Sequence, residues 1–268
     1  MYKAVFLDMD GTLLRSDHSV SDATKETIRK IIKKGIPVIL VSARPVNAIL
    51  PTWRDIGLEG YPMVSLNGSY IIENDKPIFD AMIDLPTAAG VAEQVHPFKV
   101  NIAYYLQREW FAVVNDEWTL HEQKIMDVQI RIAPLPELIR EWTARKIGPN
   151  KMMVMGEPDQ IAEAEQHLKS VYDGKLNIYT SKPTYLEVMD PRGSKSNAVH
   201  FLIERMKIGR EEVIAMGDNF NDREMIQFAG MGVAMGNAPD EIKAVADYVT
   251  DTNNNDGVRK ALEHLLPI

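Results

Sequence analysis

Two apolar segments that lie far apart in the chain each run directly into a pair of aspartates. The first segment, VFLDMDGTLL, contains Asp8 and Asp10. The second, near 212–217, leads into GDNFND, which contains Asp218 and Asp222. Open parallel α/β sheets bind ligands at the carboxyl ends of their strands. Burying four carboxylates at such an edge without a cation is costly, so the pattern indicates a divalent metal site in an α/β fold.

The spacing of the apolar segments predicts alternating strands and helices. A nearly continuous apolar run, such as 36–43, is typical of a parallel strand that is buried on both faces. The other elements predicted for this part of the chain are strands near 4–10, 62–66, 212–217, 231–235 and 247–250, helices near 21–34 and 45–55, and a hairpin through 67–83. We therefore predict an α/β fold with a doubly wound, mainly parallel, Rossmann-like sheet.

Between about 84 and 185 the pattern changes to short paired strands and helices. The predicted elements are helices 87–95, 136–145 and 158–172 and strands 100–106, 110–114, 151–155 and 175–180. Prolines near both ends favour extended linkers. The sequence thus predicts a split core, 1–83 and 186–268, interrupted by a separate α+β domain at 84–185.

Side chains of the predicted insertion are assigned to packing or to solvent. Its aromatic residues are assigned mainly to core or hairpin packing, although one or two could line a pocket; they are Tyr104, Tyr105, Trp110, Phe111 and Trp118. The acids Asp116, Glu117 and Glu122 are assigned to the solvated face of a helix.

Composition excludes several classes of protein. The 268 residues contain no cysteine, which rules out disulfides and cysteine nucleophiles and suits a reducing compartment, so we expect a cytoplasmic protein. The net charge of −8 and the lack of a long basic block argue against nucleic-acid binding. No apolar run is long enough for a membrane span, the six histidines lack zinc-site spacing, and no obligatory protein partner is evident.

Four motifs, taken in order, resemble those of the haloacid dehalogenase superfamily, and specifically its Cof-like branch with an inserted α/β cap (subclass IIB). They are DMDGTLL, Ser42 in VILVSARP, Lys195 in RGSKSNAV, and GDNFND. The tail GVAMGNAPDEIKAVADYVT is also typical of that branch. One difference is Ser196, which stands where the branch usually has glycine.

The resemblance implies a phosphatase mechanism with assigned residues. Asp8 would be the nucleophile that forms an aspartyl-phosphate, and Asp10 the general acid and base. Mg²⁺ is favoured because the proposed ligands are all oxygens. Those ligands would be Asp8, the backbone carbonyl of Asp10, Asp218, and Asp222 either directly or through water.

Further residues are candidates for binding phosphate or substrate. Lys195 would supply a positive charge and pair with Asp8, and Ser42 would donate hydrogen bonds. Arg44 could contact substrate or form a surface salt bridge, and Asn67 could contact substrate or serve a turn. The full candidate set is Met9, Gly11, Ser42, Ala43, Arg44, Asn67, Lys195 and Asn221.

The main prediction is a Mg²⁺-dependent phosphomonoesterase that acts on small phosphorylated metabolites such as sugar phosphates or pyridoxal phosphate. The inserted cap would exclude water and select the leaving group. A phosphomutase with the same nucleophile is the nearest alternative. A regulatory protein whose aspartate is only a phospho-acceptor is a second alternative, against which the intact Asp10 argues. GMGVAMG lacks the glycine order of a dinucleotide fingerprint, which disfavours a redox role.

Overall fold

A computed structural model describes residues 1–126 and 128–267. In chain order the strands are β1 (Ala4–Leu7), β2 (Val38–Val41), β3 (Met63–Ser65), β4 (Tyr70–Glu73), β5 (Lys76–Asp80), β6 (Asn101–Leu106), β7 (Glu109–Ala112), β8 (Arg131–Ile132), β9 (Lys151–Met155), β10 (Asn177–Lys182), β11 (Tyr185–Met189), β12 (Val213–Gly217), β13 (Met231–Ala234) and β14 (Tyr248–Val249). The α-helices are α1 (Asp22–Lys33), α2 (Val46–Ile56), α3 (Leu85–Val95), α4 (Glu117–Met126), α5 (Leu135–Arg145), α6 (Pro158–Val171), α7 (Lys195–Met206), α8 (Arg223–Phe228), α9 (Asp240–Lys243) and α10 (Gly257–Leu265).

The larger sheet has the strand order β14-β13-β12-β1-β2-β3-β4-β5. From β14 to β3 neighbouring strands are parallel, and β4 runs antiparallel to β3. Every residue of β1, β2 and β12 is buried, as expected for parallel strands covered on both faces. The predicted α/β class with a mainly parallel sheet is confirmed.

The pairing of β1 with β12 brings the two aspartate motifs together. Their register aligns Leu7 with Met216, although the two residues are separated by most of the chain. The backbone N–H of Asp8 extends this ladder by donating to the carbonyl of Met216 at 3.0 Å. Asp8 and Asp218 therefore leave adjacent parallel strands at the same edge of the sheet.

Helix α7 begins at the lysine of the third motif. Ser194 is its N-cap, and the side chain of Ser194 accepts a hydrogen bond from the backbone N–H of Asn197. Such a cap satisfies one of the amide groups that have no partner within the helix. The cap fixes the first turn of α7, and with it the position of Lys195.

The chain divides into two compact units. The first comprises Met1–Ala43, Ile49–Ile78 and the chain from Ser194 onward, and the second comprises Arg44–Ala48 and Phe79–Gly193. The second unit is wider than the predicted insertion at 84–185. Strand β11 pairs with β9 and β10, so the sheet of this unit continues past residue 185.

The second unit has its own sheet, in the order β10-β11-β9-β6-β7-β8. Its apolar core joins one face of this sheet to α3, α5 and α6. Members of the core include Tyr104, Phe111, Trp142 and Leu168. Tyr104 and Phe111 each lie against the indole of Trp142, with ring centroids 5.5 and 5.4 Å away. The packing role predicted for these two aromatics agrees with this arrangement.

Helix α4 corrects one sequence-based assignment. Glu117 is exposed, as predicted for a solvated helix face. Glu122, assigned to the same face, is instead only 1% exposed. It lies one turn from the buried Thr119, so the two residues share the buried side of the helix. In the described chain, residues 1–126 and 128–267, no helix is long and apolar enough to cross a membrane.

Candidate active site

Three aspartates form an acidic group beside the ends of β1 and β12. Asp8, Asp218 and Asp222 can each offer one carboxylate oxygen to a set whose atoms lie within 4.8 Å of one another. Asp8 is 4% exposed and Asp222 is fully buried, whereas Asp218 is partly exposed. The sequence predicted this convergence from the two strand ends.

Lys195 bridges two of these carboxylates. Its Nζ atom donates to Oδ1 of Asp8 and to Oδ1 of Asp222, both at 2.6 Å. The lysine is 2% exposed, so the ion pairs are shielded from water. Burial weakens dielectric screening, and each of these contacts is therefore stronger than a surface ion pair.

Asp222 also holds the loop that follows β12. Its Oδ2 atom accepts hydrogen bonds from the backbone N–H groups of Asp218 and Asn219, both at 3.0 Å. The loop packs closely, because a Cβ atom on Gly217 would lie 2.3 Å from Cβ of Asp222. Both oxygens of Asp222 are thus engaged, one by the lysine and one by the backbone.

The electrostatics of the group follow from burial and from the mutual repulsion of its acids. Burial raises the pKa of Asp8 well above its usual range, the charge of Asp222 raises it further, and Lys195 opposes both effects. Burial and the charge of Asp222 raise the pKa of Asp218 to about 6. Burial lowers the pKa of Lys195, but the charges of Asp222 and Asp8 outweigh it, and the net shift is upward. The lysine therefore stays protonated.

The donor set fits a hard divalent cation. All side-chain donors are carboxylate oxygens, which Mg²⁺ prefers to nitrogen or sulfur. The raised pKa values of Asp8 and Asp218 reflect burial first and then repulsion among the acids, which one ammonium group does not fully offset. A second positive charge in this group would relieve it.

Two contacts to Asp218 were not predicted from the sequence. Thr12, which is 1% exposed, donates through Oγ1 to Oδ1 of Asp218 at 3.0 Å. Asn237 donates through Nδ2 to the carbonyl of Gly11 at 2.9 Å and to Oδ2 of Asp218 at 3.4 Å. Asn237 follows β13, the neighbour of β12, and a polar residue just after a parallel strand was the available signal.

The second and fourth motifs are joined through a turn. The backbone N–H of Asn67 donates to the carbonyl of Ser42 at 2.9 Å, and the side chain of Asn221 donates to Oδ1 of Asn67 at 3.1 Å. Asn67 has φ 55° and ψ 30°, a left-handed conformation that asparagine tolerates, in agreement with the turn alternative. The backbone N–H of Ser42 donates to the carbonyl of Val64 at 3.0 Å.

The remaining candidate residues occupy different settings. Met9 is fully buried, and Asp10 is exposed and forms a backbone bridge with Leu14. Ala43 is the last residue of the segment Met1–Ala43 of the first unit, and Arg44 is the first residue of the second unit. Arg44 is only 7% exposed, and both of its predicted roles, a substrate contact and a salt bridge, stay predictions.

Comparison with known proteins places these features in a family. The sequence pattern of the family described as "haloacid dehalogenase-like hydrolase" matches residues 5–262. A "Putative phosphatase" of Haemophilus influenzae is 37% identical over 100% of this chain and 99% of its own length. A Bacillus subtilis protein named 5-amino-6-(5-phospho-D-ribitylamino)uracil phosphatase is 30% identical over 98% of this chain and 95% of its own length.

A solved structure agrees with these sequence relationships. A haloacid dehalogenase-like hydrolase from Bacteroides thetaiotaomicron superposes with a TM-score of 0.88 at 31% identity, covering 99% of this chain and all of the other. The similarity therefore extends over both units and is not confined to the aspartate motifs.

Proposed function

We propose that this chain, which belongs to the haloacid dehalogenase-like hydrolase family and is a phosphatase, hydrolyses monoesters of small phosphorylated metabolites. The proposed reaction passes through an aspartyl-phosphate on Asp8. The observation that carries this proposal is the position of Lys195, 2.6 Å from both Asp8 and Asp222, beside the third acid Asp218. A buried carboxylate next to a fixed ammonium suits a nucleophile that must approach an anionic ester.

Asp8 is the proposed nucleophile because it combines burial with a fixed cation. Its Oδ1 is held by Lys195, which fixes the carboxylate and favours its ionised form. Attack on phosphorus transfers the phosphoryl group to Asp8 and expels the alkoxide of the substrate. Attack of water on the same phosphorus then releases inorganic phosphate and regenerates Asp8.

Asp10 is proposed to move the protons. Asp10 is an exposed residue two positions from Asp8 in the chain. It would protonate the departing alkoxide in the first step and accept a proton from the attacking water in the second. The hydroxyl of Ser42 and the ammonium of Lys195 would donate to the phosphoryl oxygens.

Mg²⁺ is the proposed metal, held by Asp8, Asp218 and the backbone carbonyl of Asp10. When bound, it supplies positive charge that offsets the repulsion between the nucleophile and the phosphoryl group. Both carboxylate oxygens of Asp222 already accept hydrogen bonds, so we expect Asp222 to contact the metal through a water molecule. Thr12 and Asn237 orient Asp218 for this role.

The second unit is proposed to select the substrate, because a separate compact unit can supply a pocket for a small alcohol. The name of the Bacillus subtilis relative specifies a small phosphorylated ribitylamino compound, which supports a metabolite of this size here. We propose sugar phosphates, sugar-alcohol phosphates and pyridoxal phosphate as the first compounds to test.

The test is phosphate release from such a panel, with and without Mg²⁺, by wild type, Asp8→Asn and Asp10→Asn. We expect Mg²⁺-dependent turnover, abolished by Asp8→Asn and lowered about 10²–10⁴-fold by Asp10→Asn, the usual contribution of general acid–base catalysis. Release by folded Asp8→Asn at the wild-type rate would overturn the mechanism. Conversion of a sugar phosphate to its isomer without net phosphate would identify a mutase instead.

A further inference from the structure

A polar segment that follows β14 lies against the loop that follows β1. The segment, Asn253–Asp256, has the sequence NNND, and its first three residues form a short 3-10 helix. Asn254 accepts a hydrogen bond from the backbone N–H of Ser16 at 2.9 Å and donates to Oγ of the same serine at 2.8 Å. Arg15 forms an ion pair with Asp256 at 2.7 Å. All of these residues belong to the first unit, and we call Asn253–Asp256 the asparagine segment.

Asn253 connects two loops at the edge of the sheet. Its Nδ2 atom donates to the carbonyl of Leu14 at 2.8 Å, and its backbone N–H donates to Oδ1 of Asn237 at 3.0 Å. Leu14 is only 2% exposed, and its own backbone N–H donates to the carbonyl of Met9 at 2.8 Å. Asn253 therefore joins a buried part of the loop after β1 to the loop after β13.

The bond from Asn253 decides which way the side-chain amide of Asn237 faces. Oδ1 of Asn237 accepts from the backbone of Asn253. The other side of the amide, Nδ2, therefore faces the carbonyl of Gly11 at 2.9 Å and Oδ2 of Asp218 at 3.4 Å. The reversed amide would place an oxygen atom against these two acceptors, to which it could donate nothing. The N–H of Asn253 thus fixes the orientation in which Asn237 holds both groups.

The loop that carries Asn237 packs closely against the start of the asparagine segment. The backbone N–H of Gly236 donates to the carbonyl of Asp251 at 3.1 Å. A Cβ atom on Gly236 would lie 2.9 Å from backbone atoms of Asp251 and Thr252. Because β13 lies between β14 and β12 in the sheet, these contacts join the loop after β14 to the loop that carries Asp218.

The same contacts hold the backbone on both sides of the Asp10 carbonyl, which is a proposed ligand of Mg²⁺. The carbonyl of Met9 accepts from the backbone N–H of Leu14 at 2.8 Å, and the carbonyl of Gly11 accepts from Asn237 at 2.9 Å. Each peptide unit is planar, so a unit between two anchored neighbours has little freedom to turn. Both anchoring residues are themselves held by the asparagine segment.

We propose that Asn253 is a positioning residue of the active site, which fixes the carbonyl of Asp10 and the carboxylate of Asp218 for the metal. It acts on these groups through Leu14 and Asn237. The inference rests on the proposed function, in which the two groups bind Mg²⁺. Mg²⁺ demands near-ideal positions of its oxygen ligands, so ligands that are free to shift bind it less tightly.

Two substitutions at residue 253 separate its two contacts. Asn253→Ala removes the side-chain bond to Leu14 and keeps the backbone N–H. Asn253→Pro removes this bond and also the N–H that orients Asn237. Proline suits the position, because residue 253 is the first residue of a 3-10 helix and Thr252 is extended, with φ −68° and ψ 160°.

The quantity to measure is the dissociation constant of Mg²⁺, by calorimetric titration of the protein without substrate. We expect it to rise at least about tenfold in Asn253→Pro, since the loss of a group that orients metal ligands typically costs about 10–100-fold in metal affinity. Asn253→Ala should give a smaller rise, because Asn237 keeps its orientation. A wild-type dissociation constant in folded Asn253→Pro would overturn the proposal.

Asn254→Ala is the matched control. Asn254 lies in the same segment, but its side chain bonds to Ser16 and not to Leu14 or Asn237. It should keep the wild-type dissociation constant. A rise equal to that in Asn253→Pro would contradict the proposal, because it would show that any loosening of the asparagine segment weakens the metal site. If Asn253→Pro does not fold, the comparison of Asn253→Ala with Asn254→Ala decides alone.

A double-mutant cycle tests whether the N–H of Asn253 acts through Asn237. In protein that carries Asn237→Ala, the variants Asn253→Ala and Asn253→Pro should have the same dissociation constant, because the N–H has lost its acceptor. A tenfold difference that persists in this background would overturn the proposed route.

The titration also separates this proposal from the proposed function. If wild type binds Mg²⁺ but leaves p-nitrophenyl phosphate and every other ester intact, the proposed function fails, while the variants still decide the role of Asn253. If wild type releases phosphate but binds no Mg²⁺, the role of Asn253 as a positioning residue for the metal is overturned and the phosphatase activity stands.

Discussion

A Cβ atom on Gly11 would lie 2.2 Å from Oδ2 of Asp218. Gly11 also has φ +80°, a left-handed conformation that side chains with a Cβ rarely adopt. The close approach lets the loop after β1 pass directly beside the acid that follows β12. Glycine at this position is therefore required for the geometry of the carboxylate group as well as for the turn.

Gly11→Ala should disrupt metal binding. The added methyl group must displace the carboxylate of Asp218, so we expect the Mg²⁺ concentration for half-maximal activity to rise at least about tenfold, equivalent to about 1.4 kcal/mol. Gly35→Ala is the control, because Gly35 has φ +82° but no atom within 4 Å of the place that an added methyl group would occupy. In both variants the left-handed backbone should lower the free energy of unfolding by about 1–2 kcal/mol, which urea unfolding would measure. An unchanged Mg²⁺ requirement in Gly11→Ala would contradict the steric argument.

Lys195→Met should destabilise the metal-free protein. The substitution leaves Asp8 and Asp222 buried without their shared cation, and breaking a buried pair in this way typically costs about 3–5 kcal/mol. Urea unfolding at neutral pH measures the loss, and phosphate release should be lost as well. Lys33→Met, at an exposed position in α1, should change the free energy of unfolding by less than about 0.5 kcal/mol. Equal stability of the two variants would show that Lys195 contributes nothing to the buried charge balance.

The stabilisation by Mg²⁺ should depend on pH. The pKa of Asp218 is raised to about 6 in the folded protein, above its ordinary value near 3.8. A carboxyl group whose pKa is higher in the folded than in the unfolded protein binds its proton more tightly in the folded state. It therefore contributes stability at pH values below its pKa in the unfolded protein, and this contribution is lost as the pH rises through its pKa in the folded protein. The metal-free protein should thus lose this contribution between about pH 4 and pH 6, because the ionised Asp218 is buried and also repels Asp222.

Mg²⁺ relieves this repulsion only when the carboxylate is ionised. The increase in melting temperature on adding Mg²⁺ should therefore be larger at pH 7.5 than at pH 5, and Asp218→Asn should reduce the difference. Differential scanning fluorimetry with Mg²⁺ or with EDTA measures both quantities. If Mg²⁺ raises the melting temperature of wild type by the same amount at both pH values, Asp218 is not the group responsible.

The parts of the fold that the sequence predicted depend on local patterns. Continuous apolar runs identified the buried parallel strands, and aspartates directly after two of those runs identified Asp8 and Asp218. The prediction that these two aspartates converge required only that the carboxyl ends of parallel strands lie at the same edge of the sheet. The roles of these residues in catalysis stay predictions until the variants are measured.

The features that the sequence missed depend on long-range packing. Helix α4 has weak amphipathic periodicity, and nothing in its local sequence distinguishes the buried Glu122 from the exposed Glu117. Strand β11 was missed because it lies just beyond the prolines taken as the linker, and only its pairing with β9 and β10 assigns it to the second unit. The contact from Asn237 to Asp218 depends on β13 being next to β12, a neighbour relation that local sequence does not specify.

Asn237→Ala tests whether that contact positions Asp218. Asn237 is exposed, so the loss of its hydrogen bonds should cost about 1 kcal/mol or less in the free energy of unfolding. The same loss releases Asp218 and the carbonyl of Gly11, and we expect the Mg²⁺ concentration for half-maximal activity to rise several-fold while the saturating rate changes little. Asn254→Ala is the control, because Asn254 bonds to Ser16 in the adjacent loop and to neither of these groups. If both variants shift the Mg²⁺ requirement equally, Asn237 supports the loop and does not orient the acid.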